Sequence, residues 1–239
     1  MKVRQLYVLF IILLQFTCIV RGGLECLNLQ LSVSQKVENE GFHRNINWLI
    51  ESTNFDNENW RTSNCEIALQ LDVPPEMFVN PDEILNLNRT GQISAYIDGS
   101  INVEAPAHES TEHKVYIYLK SNSIGKVSVE LPVHLRYQRA VIGGGFGKIN
   151  LSKPSLLVLC PIAGRELCGD YSKVTAPCDS TGQHLCVWQN VTYQALFDDV
   201  QLFVPVGDLD DYPIVSVVTL LLGCFGSIYI LSLLSTMSI

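Results

Sequence analysis

Apolar residues dominate both ends of the chain, and the N-terminal stretch is the shorter one. Lys2 and Arg4 precede an apolar run from Leu6 to Val20, and Gly22 follows it closely. A short basic region, an apolar stretch of this length and a small residue after it are typical of a secretory signal peptide. We predict that residues 1–22 form such a peptide and are cleaved. The alternative is an uncleaved signal anchor, which usually needs about 20 apolar residues.

The C-terminal stretch has the pattern of a membrane span. No charged residue occurs from Tyr212 to Ile239, and residues 214–234 are long enough to cross a hydrocarbon core of about 30 Å as a helix. We predict a transmembrane helix at residues 212–234 and a short cytoplasmic tail at residues 235–239. Gly223 and Ser227 form a pair of small residues one helical turn apart, a pattern that lets a partner helix approach closely.

Between the two ends, apolar and polar residues alternate with the period of two that half-buried strands show. The alternating stretches are 25–33, 65–73, 114–119, 126–131 and 185–193, and a continuous apolar run lies at 155–160. Many short strands with turn residues between them favour an antiparallel sandwich or barrel. We therefore predict an all-β fold for residues 23–211, an antiparallel β-sandwich-like lumenal domain between the signal peptide and the transmembrane helix.

Three other segments have less regular patterns. Residues 40–51 predict one or two turns of helix. Pro74-Pro75 and Asn80-Pro81 predict a loop after the second strand. The glycine-rich residues 143–147 predict a hairpin loop, and a linker between two sub-domains is the alternative.

Composition and charge exclude two classes of protein. Of the 239 residues, 47% are hydrophobic and 17% are charged, and the formal net charge is −8. This composition is not that of a disordered chain. Nucleic-acid binding needs clustered cations that displace counterions, so the acidic balance argues against it.

Cysteines and sequons favour an oxidising compartment. Cys18 lies in the predicted signal peptide and Cys224 in the predicted span. The other cysteines predict up to three disulfides; they are Cys26, Cys65, Cys160, Cys168, Cys178 and Cys186. We prefer a bond between Cys26 and Cys65, with the four C-terminal cysteines bonded among themselves. Glycosylation sequons begin at Asn88, Asn150 and Asn190. Together with a cleaved signal peptide, these features predict a type I protein with nearly all of its mass in the lumen.

Motifs that carry catalysis or hold cofactors are incomplete. Ile142 and Ile149 stand where a phosphate-binding loop needs Gly and Ser or Thr. His184 and the C-terminal cysteines lack the C-x-x-C spacing of zinc sites. Asp210 and Asp211 directly precede the span, where a solvated face is the simpler interpretation. We predict no catalytic residue, no cofactor and no metal site.

Several short motifs carry a family resemblance. In chain order they are LDVPPEMFVNPDEI at 71–84, LPVHLRYQR at 131–139 and SLLVLC at 155–160, followed by cysteines that end in LCVW at 185–188. This ordered set resembles the PIG-X family, the phosphatidylinositol glycan class X proteins. The resemblance covers most of the chain from about residue 65 to the end. It implies a signal peptide, a glycosylated lumenal region and one C-terminal span.

The resemblance also implies an accessory function. PIG-X-like proteins stabilise PIG-M, the multi-span enzyme of the endoplasmic reticulum that adds the first mannose, taken from dolichol-phosphate-mannose, to a glycosylphosphatidylinositol (GPI) precursor. The implied partners are a PIG-M-like subunit and the membrane, with no nucleic acid and no small-molecule substrate. We predict that His134, Arg136 and Tyr137 are either partner contacts or a structural cluster. In the structural case Arg136 bonds loop carbonyls and Tyr137 fills the core.

Three alternatives fit parts of the same sequence. Cysteines, sequons and strand patterns are also found in cell-surface adhesion or receptor ectodomains with a single span. The apolar C-terminus resembles a GPI-attachment signal that is removed. A lumenal enzyme would need a site that only the fold assembles.

Overall fold

Thirteen β-strands form in the part of the chain that the structure describes. A computed structural model describes residues 29–52, 65–119, 126–160 and 171–237. The strands are β1 (Leu31–Glu38), β2 (His43–Ser52), β3 (Glu66–Val73), β4 (Met77–Phe78), β5 (Ala95–Asp98), β6 (His113–Leu119), β7 (Lys126–Leu135), β8 (Gly145–Leu151), β9 (Ser155–Leu159), β10 (Ser172–Pro177), β11 (Leu185–Val191), β12 (Gln194–Ala195) and β13 (Val200–Val206). Helix α1 spans Pro81–Thr90 and helix α2 spans Tyr212–Thr236.

The strands form two larger sheets and one pair. The first sheet has the order β12-β1-β2-β7-β4, the second has the order β10-β11-β9-β3-β6-β5, and β13 pairs with β8. Every pairing of these strands is antiparallel except that of β1 with β12. The antiparallel all-β prediction is therefore confirmed.

Both sheets and the β8–β13 pair share one hydrophobic core. In β3, the side chains of Leu69, Leu71 and Val73 point to the core at the period of two that a strand imposes. The fully buried members of this core include Val33, Ile46, Trp48, Leu131, Val133, Val115, Ile117, Leu156, Ile149 and Val204. Because β8 and β13 contribute to the same core, the glycine-rich segment before β8 is not a linker between separate cores.

A second cluster covers the outer face of the larger sheet. Trp188 is fully buried there, and the turn between β10 and β11 folds against the same face. The carbonyl of Pro177 accepts hydrogen bonds from the Tyr118 hydroxyl at 3.0 Å and from Trp188 Nε1 at 3.1 Å. Gly182 has a φ of +66°, and any side chain at this position would collide with the ring of Tyr96. The turn therefore depends on glycine for both its backbone shape and its close packing.

Three local predictions from the sequence are wrong. Residues 40–51 do not form a helix, because Ile46, Trp48 and Ile50 alternate into the core as part of β2. The loop predicted at Asn80-Pro81 is the start of α1. Asn80 caps this helix by accepting a hydrogen bond from the Asp82 N–H at 3.0 Å. The glycine-rich residues 143–147 do not join the strands of a hairpin, because β7 and β8 belong to different sheets.

The disulfides differ from the preferred pairing. Cys65 is bonded to Cys160, and Cys178 is bonded to Cys186. The first bond follows from the pairing of β3 with β9, which places Glu66 opposite Leu159 and so brings the flanking cysteines together. The preferred Cys26–Cys65 bond is therefore wrong, and so is the bonding of all four C-terminal cysteines among themselves, because Cys160 pairs with Cys65. The Cys178–Cys186 bond does join two of those four. Cys26 and Cys168 lie outside the described residues, as does the predicted signal peptide.

Helix α2 meets the requirements of a membrane span. Its 25 residues correspond to about 37 Å at 1.5 Å per residue, more than the ~30 Å of a hydrocarbon core. Its side chains are exposed, and among the described residues it is the one helix long and apolar enough to cross a bilayer. The predicted C-terminal helix is confirmed, and it extends to Thr236.

Candidate functional site

The two family-like motifs lie side by side in the fold. Strand β4 pairs with the end of β7, so that Met77 is opposite Leu135 and Phe78 is opposite His134. The backbone N–H of Arg136 continues this pairing by donating to the Glu76 carbonyl at 2.7 Å. We call this region the β4–β7 edge. The fold thus joins two motifs that are far apart in the sequence.

Arg136 holds the β4–β7 edge to a neighbouring loop. Its side chain is buried, with only 4% of the residue exposed. Nη1 donates to the carbonyls of Asn102 and Ala105, both at 2.7 Å, while Nε has no partner. Burial lowers the pKa of Arg136, although a guanidinium keeps its charge in proteins. Arg136 therefore has the structural role that the sequence offered as one alternative.

His113 lies next to Arg136 and stays neutral. Burial, followed by the charge of Arg136, lowers the pKa of His113 to about 4, against the smaller effect of a backbone hydrogen bond with Thr111. Both residues line a cavity of about 100 Å³ with polar walls that include Asn102 and Ser110. Pockets for small-molecule ligands usually measure about 300–1,000 Å³, so this cavity is too small for a sugar donor.

His134 belongs to a partly exposed cluster with two residues that the sequence analysis did not single out. His43 is directly opposite His134 on β2, and their ring centroids are 4.6 Å apart. Glu83, in the first turn of α1, accepts a hydrogen bond from His134 Nε2 at 3.1 Å and lies 3.8 Å from His43 Nε2. The ring of Phe78 stacks on the other side of His134, with 5.0 Å between centroids. This packing fixes the imidazole between two strands and a helix.

The same three residues are the group best suited to hold a cation among the described residues. Each of His43, Glu83 and His134 offers one ligand atom, and these atoms lie within 4.8 Å of one another. Ligands at about 2.0–2.2 Å from a tetrahedral zinc ion would be separated by about 3.3 Å. The His134–Glu83 separation of 3.1 Å is about this short, whereas His43 Nε2 lies 3.8 Å from Glu83. The arrangement therefore favours a hydrogen-bonded cluster.

Tyr137 faces solvent beside the β4–β7 edge. It is 73% exposed, and its ring centroid is 4.7 Å from that of Phe42. Its carbonyl accepts a hydrogen bond from the Ala107 N–H at 3.0 Å, which fixes the backbone beneath the ring. The alternative that Tyr137 fills the core is therefore wrong. An exposed Tyr137 beside a half-buried Phe42, on a fixed backbone, is a suitable contact for a protein partner.

The three sequons lie in different environments. Asn150 is exposed on β8 and Asn190 is half-buried on β11. The side chain of Asn88 is engaged at both atoms, because Nδ2 donates to the Ala95 carbonyl and Oδ1 accepts from the Ala95 N–H, each at 2.8 Å. Asn88 thereby holds the end of α1 to β5.

The small residues of α2 leave a shallow groove. Apart from the neighbouring residues and the backbone of the helix itself, no atom lies within 4 Å of the position that a Cβ on Gly223 would occupy. The Ser227 hydroxyl donates to the Gly223 carbonyl at 2.8 Å, so its polar group is satisfied within the helix. Thr219, one turn before Gly223, does the same with the Val215 carbonyl at 2.7 Å. The groove can therefore face lipid or another helix without an unpaired hydroxyl.

An antiparallel β-sandwich joined to an apolar helix of spanning length fits the class of single-pass membrane proteins. Comparison with known families then gives a narrower identity. The family model PIG-X / PBN1 matches residues 39–235, and the chain belongs to this family. The matched range includes both motifs of the β4–β7 edge and most of α2.

Curated relatives agree with this assignment. A human protein is 30% identical over 214 residues, which cover 88% of this chain and 82% of the relative. A rat protein is 31% identical over 206 residues, with coverage of 84% and 81%. Both are named "GPI alpha-1,4-mannosyltransferase I, stabilizing subunit". The family resemblance drawn from the motifs is confirmed.

Proposed function

We propose that this chain is the non-catalytic, stabilising subunit of a GPI α-1,4-mannosyltransferase I. The observation that carries the proposal is the family match over residues 39–235, together with the names of the relatives. Those names agree with the accessory-subunit interpretation and not with an adhesion or receptor ectodomain. The catalytic partner is a multi-span, PIG-M-like subunit that transfers the first mannose from dolichol-phosphate-mannose to the GPI precursor.

The chain resides in the endoplasmic reticulum membrane as a type I protein, with the β-sandwich in the lumen. Two disulfides support this placement, because such bonds persist in oxidising compartments. Glycans that remain sensitive to endoglycosidase H are expected for a resident of this compartment. Resistant glycans on the mature protein would contradict residence there and favour a cell-surface location.

Stabilisation requires only binding. A subunit that binds the folded partner and not the unfolded one stabilises it by mass action, by about 2.7 kcal/mol when its concentration is 100 times the dissociation constant. Tyr137 and Phe42 are the proposed lumenal contacts, because they are aromatic, adjacent and held on a fixed backbone. The N–H of Leu135 donates to the Phe42 carbonyl at 2.7 Å, which holds Phe42 beside the segment that carries Tyr137.

Replacing Tyr137 with Ala tests the proposed contact. We expect less catalytic subunit to co-purify in mild detergent and its steady-state level to fall, while the level of the variant chain itself stays normal. Phe203→Ala is the matched control, because Phe203 is also an exposed aromatic side chain but lies on β13. Equal co-purification of the two variants would exclude Tyr137 as a contact. Normal levels of the catalytic subunit in cells that lack the whole chain would overturn the proposed function.

A further inference from the structure

Exposed apolar side chains cluster on the turn that precedes β8 and at the start of β8 itself. Ile142 is 78% exposed and Phe146 is 72% exposed, and Val141 is exposed beside them. Isolated apolar residues are common on protein surfaces. Here, however, the neighbouring segment adds Leu209 and Tyr212, which are exposed as well. The patch is therefore shared by the turn and the segment that leads into α2.

Backbone hydrogen bonds tie this turn to the first residue of α2. The N–H of Leu209 donates to the Val141 carbonyl at 3.0 Å, and the N–H of Tyr212 donates to the Leu209 carbonyl at 3.2 Å. A parallel bridge also joins Val141 to Asp208. Since consecutive Cα atoms are 3.8 Å apart, these links keep Val141 within about 10 Å of the start of the helix.

Three consecutive glycines fix the shape of the turn. Gly143, Gly144 and Gly145 have φ values of +81°, +57° and +113°, which side-chain-bearing residues rarely adopt. The N–H of Gly143 donates to Asp208 Oδ1 at 3.0 Å, which holds the turn against the segment before α2. Ile142 and Phe146 flank the three glycines in the sequence, and both are exposed.

We infer that the turn of residues 141–146 is a membrane-contact site, which inserts Ile142 and Phe146 at the boundary between headgroups and acyl chains beside α2. The inference rests on α2 crossing a bilayer, as the proposed function requires. A helix that enters the hydrocarbon at Pro213 places Tyr212 at the interface and keeps Asp210 and Asp211 in water. Val141, within about 10 Å of the start of α2, then lies close to this interface, and Ile142 follows it directly in the chain.

The occupant of this apolar patch is phospholipid. The patch is continuous with the lipid-facing surface of α2, which has no charged side chain from Tyr212 onward. A second attachment point next to the helix restricts the tilt of the β-sandwich. The domain is thereby held with the β8–β13 pair at the membrane surface, and the orientation of the β4–β7 edge is set relative to the bilayer.

Depth-dependent fluorescence quenching tests the inference. The full chain is placed in phosphatidylcholine nanodiscs with a nitrobenzoxadiazole label at Ile142→Cys, in a Cys224→Ala background that removes the free thiol of α2. Lys126→Cys, at the far end of β7 from the segment that leads to Val141, is the aqueous control. The Cys224→Ala parent measures any background labelling, and the label on native Cys224 reports the insertion of α2.

We expect lipids with a nitroxide near the headgroup to quench most of the Ile142 label and aqueous iodide to quench little of it. The Lys126 label should show the reverse. If Cys224 is quenched by nitroxides deep in the bilayer while the Ile142 label remains open to iodide, the inference is overturned and α2 still spans. If the label on Cys224 is itself quenched by iodide, α2 does not cross the bilayer. That result would contradict both the proposed membrane topology and this inference.

Discussion

The guanidinium of Arg136 lies over the ring of Phe78, with its Cζ atom 4.5 Å from the ring centroid. Phe78 belongs to β4, whereas Arg136 follows β7 and also bonds the carbonyls of Asn102 and Ala105. One buried cation therefore fastens three segments of the chain to one another. The aromatic face contributes favourably to the energy of a charge that lacks a carboxylate partner among the described residues.

Replacing Arg136 with Met should destabilise the domain by about 2–4 kcal/mol. The substitution keeps most of the apolar stem but leaves two carbonyls without their donor. The measurement is the denaturant midpoint of the full chain in detergent, followed by tryptophan fluorescence. Arg139→Met is the control, because Arg139 is exposed nearby. Identical midpoints for the two variants would show that Arg136 does not hold the loop.

The two disulfides should contribute unequally to stability. The Cys65–Cys160 bond joins residues 95 positions apart, and the Cys178–Cys186 bond joins residues 8 apart. In the loop-entropy model these separations correspond to about 4.7 and 2.5 kcal/mol. We expect the Cys65→Ser/Cys160→Ser variant to unfold at a clearly lower denaturant concentration than the Cys178→Ser/Cys186→Ser variant. The opposite order would show that constraint of the unfolded chain is not the main effect.

Acidification should weaken the fold through His113. Its pKa is about 4 in the folded chain, mainly because of burial, and about 6.5 when the chain is unfolded. Between these values the unfolded state binds more protons, so stability is lost as the pH falls from 6.5 towards 4, by up to about 3 kcal/mol.

The measurement for His113 is the pH dependence of the unfolding midpoint from pH 7 to pH 4. His113→Gln removes the titrating group, so its profile should be flatter than that of the wild type even if the variant is less stable overall. His184→Gln, at an exposed position, should keep the wild-type slope. A wild-type slope in His113→Gln would mean that other groups account for the acid sensitivity.

Glycans should be found at Asn150 in preference to Asn88. Asn150 is exposed on β8, whereas both polar atoms of the Asn88 side chain are bonded to Ala95. Site-resolved mass spectrometry of the protein from membranes measures the occupancy. Asn88→Ala should also lower stability by about 1–3 kcal/mol through loss of the bonds to Ala95, whereas Asn150→Gln should not. Full glycan occupancy at Asn88 would contradict this expectation.

Bulk at Gly223 should interfere with a partner helix. Gly223→Ile fills the groove beside Ser227 and prevents close approach of another helix. We expect less catalytic subunit to co-purify with this variant. Leu221→Phe adds bulk to nearly the opposite face of α2 and should have little effect. Equal losses would indicate that the whole helix surface, and not the small-residue face, matters for association.

Strands were predicted best in segments where buried apolar residues and exposed polar residues alternate along the chain. Residues 65–73 and 114–119 became β3 and β6 because their apolar residues recur at the strand period. Residues 40–51 carry the same signal in Ile46, Trp48 and Ile50. The sequence also contains the usual start and stop signals of a helix at α1. Asn80 is the cap, Pro81 lies in the first turn and Gly91 follows the end. Asn-Pro pairs are also typical of turns, and that pattern predicted a loop here.

The composition of the candidate site could not be predicted from local patterns. His134, Arg136 and Tyr137 were recognised by family-like motifs, but their different roles depend on sheet pairing. Glu83 and His43 reach His134 only because α1 follows β4 and because β2 lies beside β7. The Cys65–Cys160 bond likewise depends on the neighbouring positions of β3 and β9. Such long-range pairings leave no signal within a single window of sequence.

The parallel pairing of β1 with β12 affects the order in which the domain can be completed. Ser32 cannot pair with Gln194, its neighbour in the sheet, until nearly the whole domain has been synthesised. At typical rates of 5–20 residues per second, that delay is roughly 10–30 s. During this time the nascent chain has an unprotected sheet edge, which is open to chaperones and to mispairing. Closure of the sandwich therefore coincides with the emergence of the anchor, so a ribosome that stops before residue 194 releases an unfinished domain.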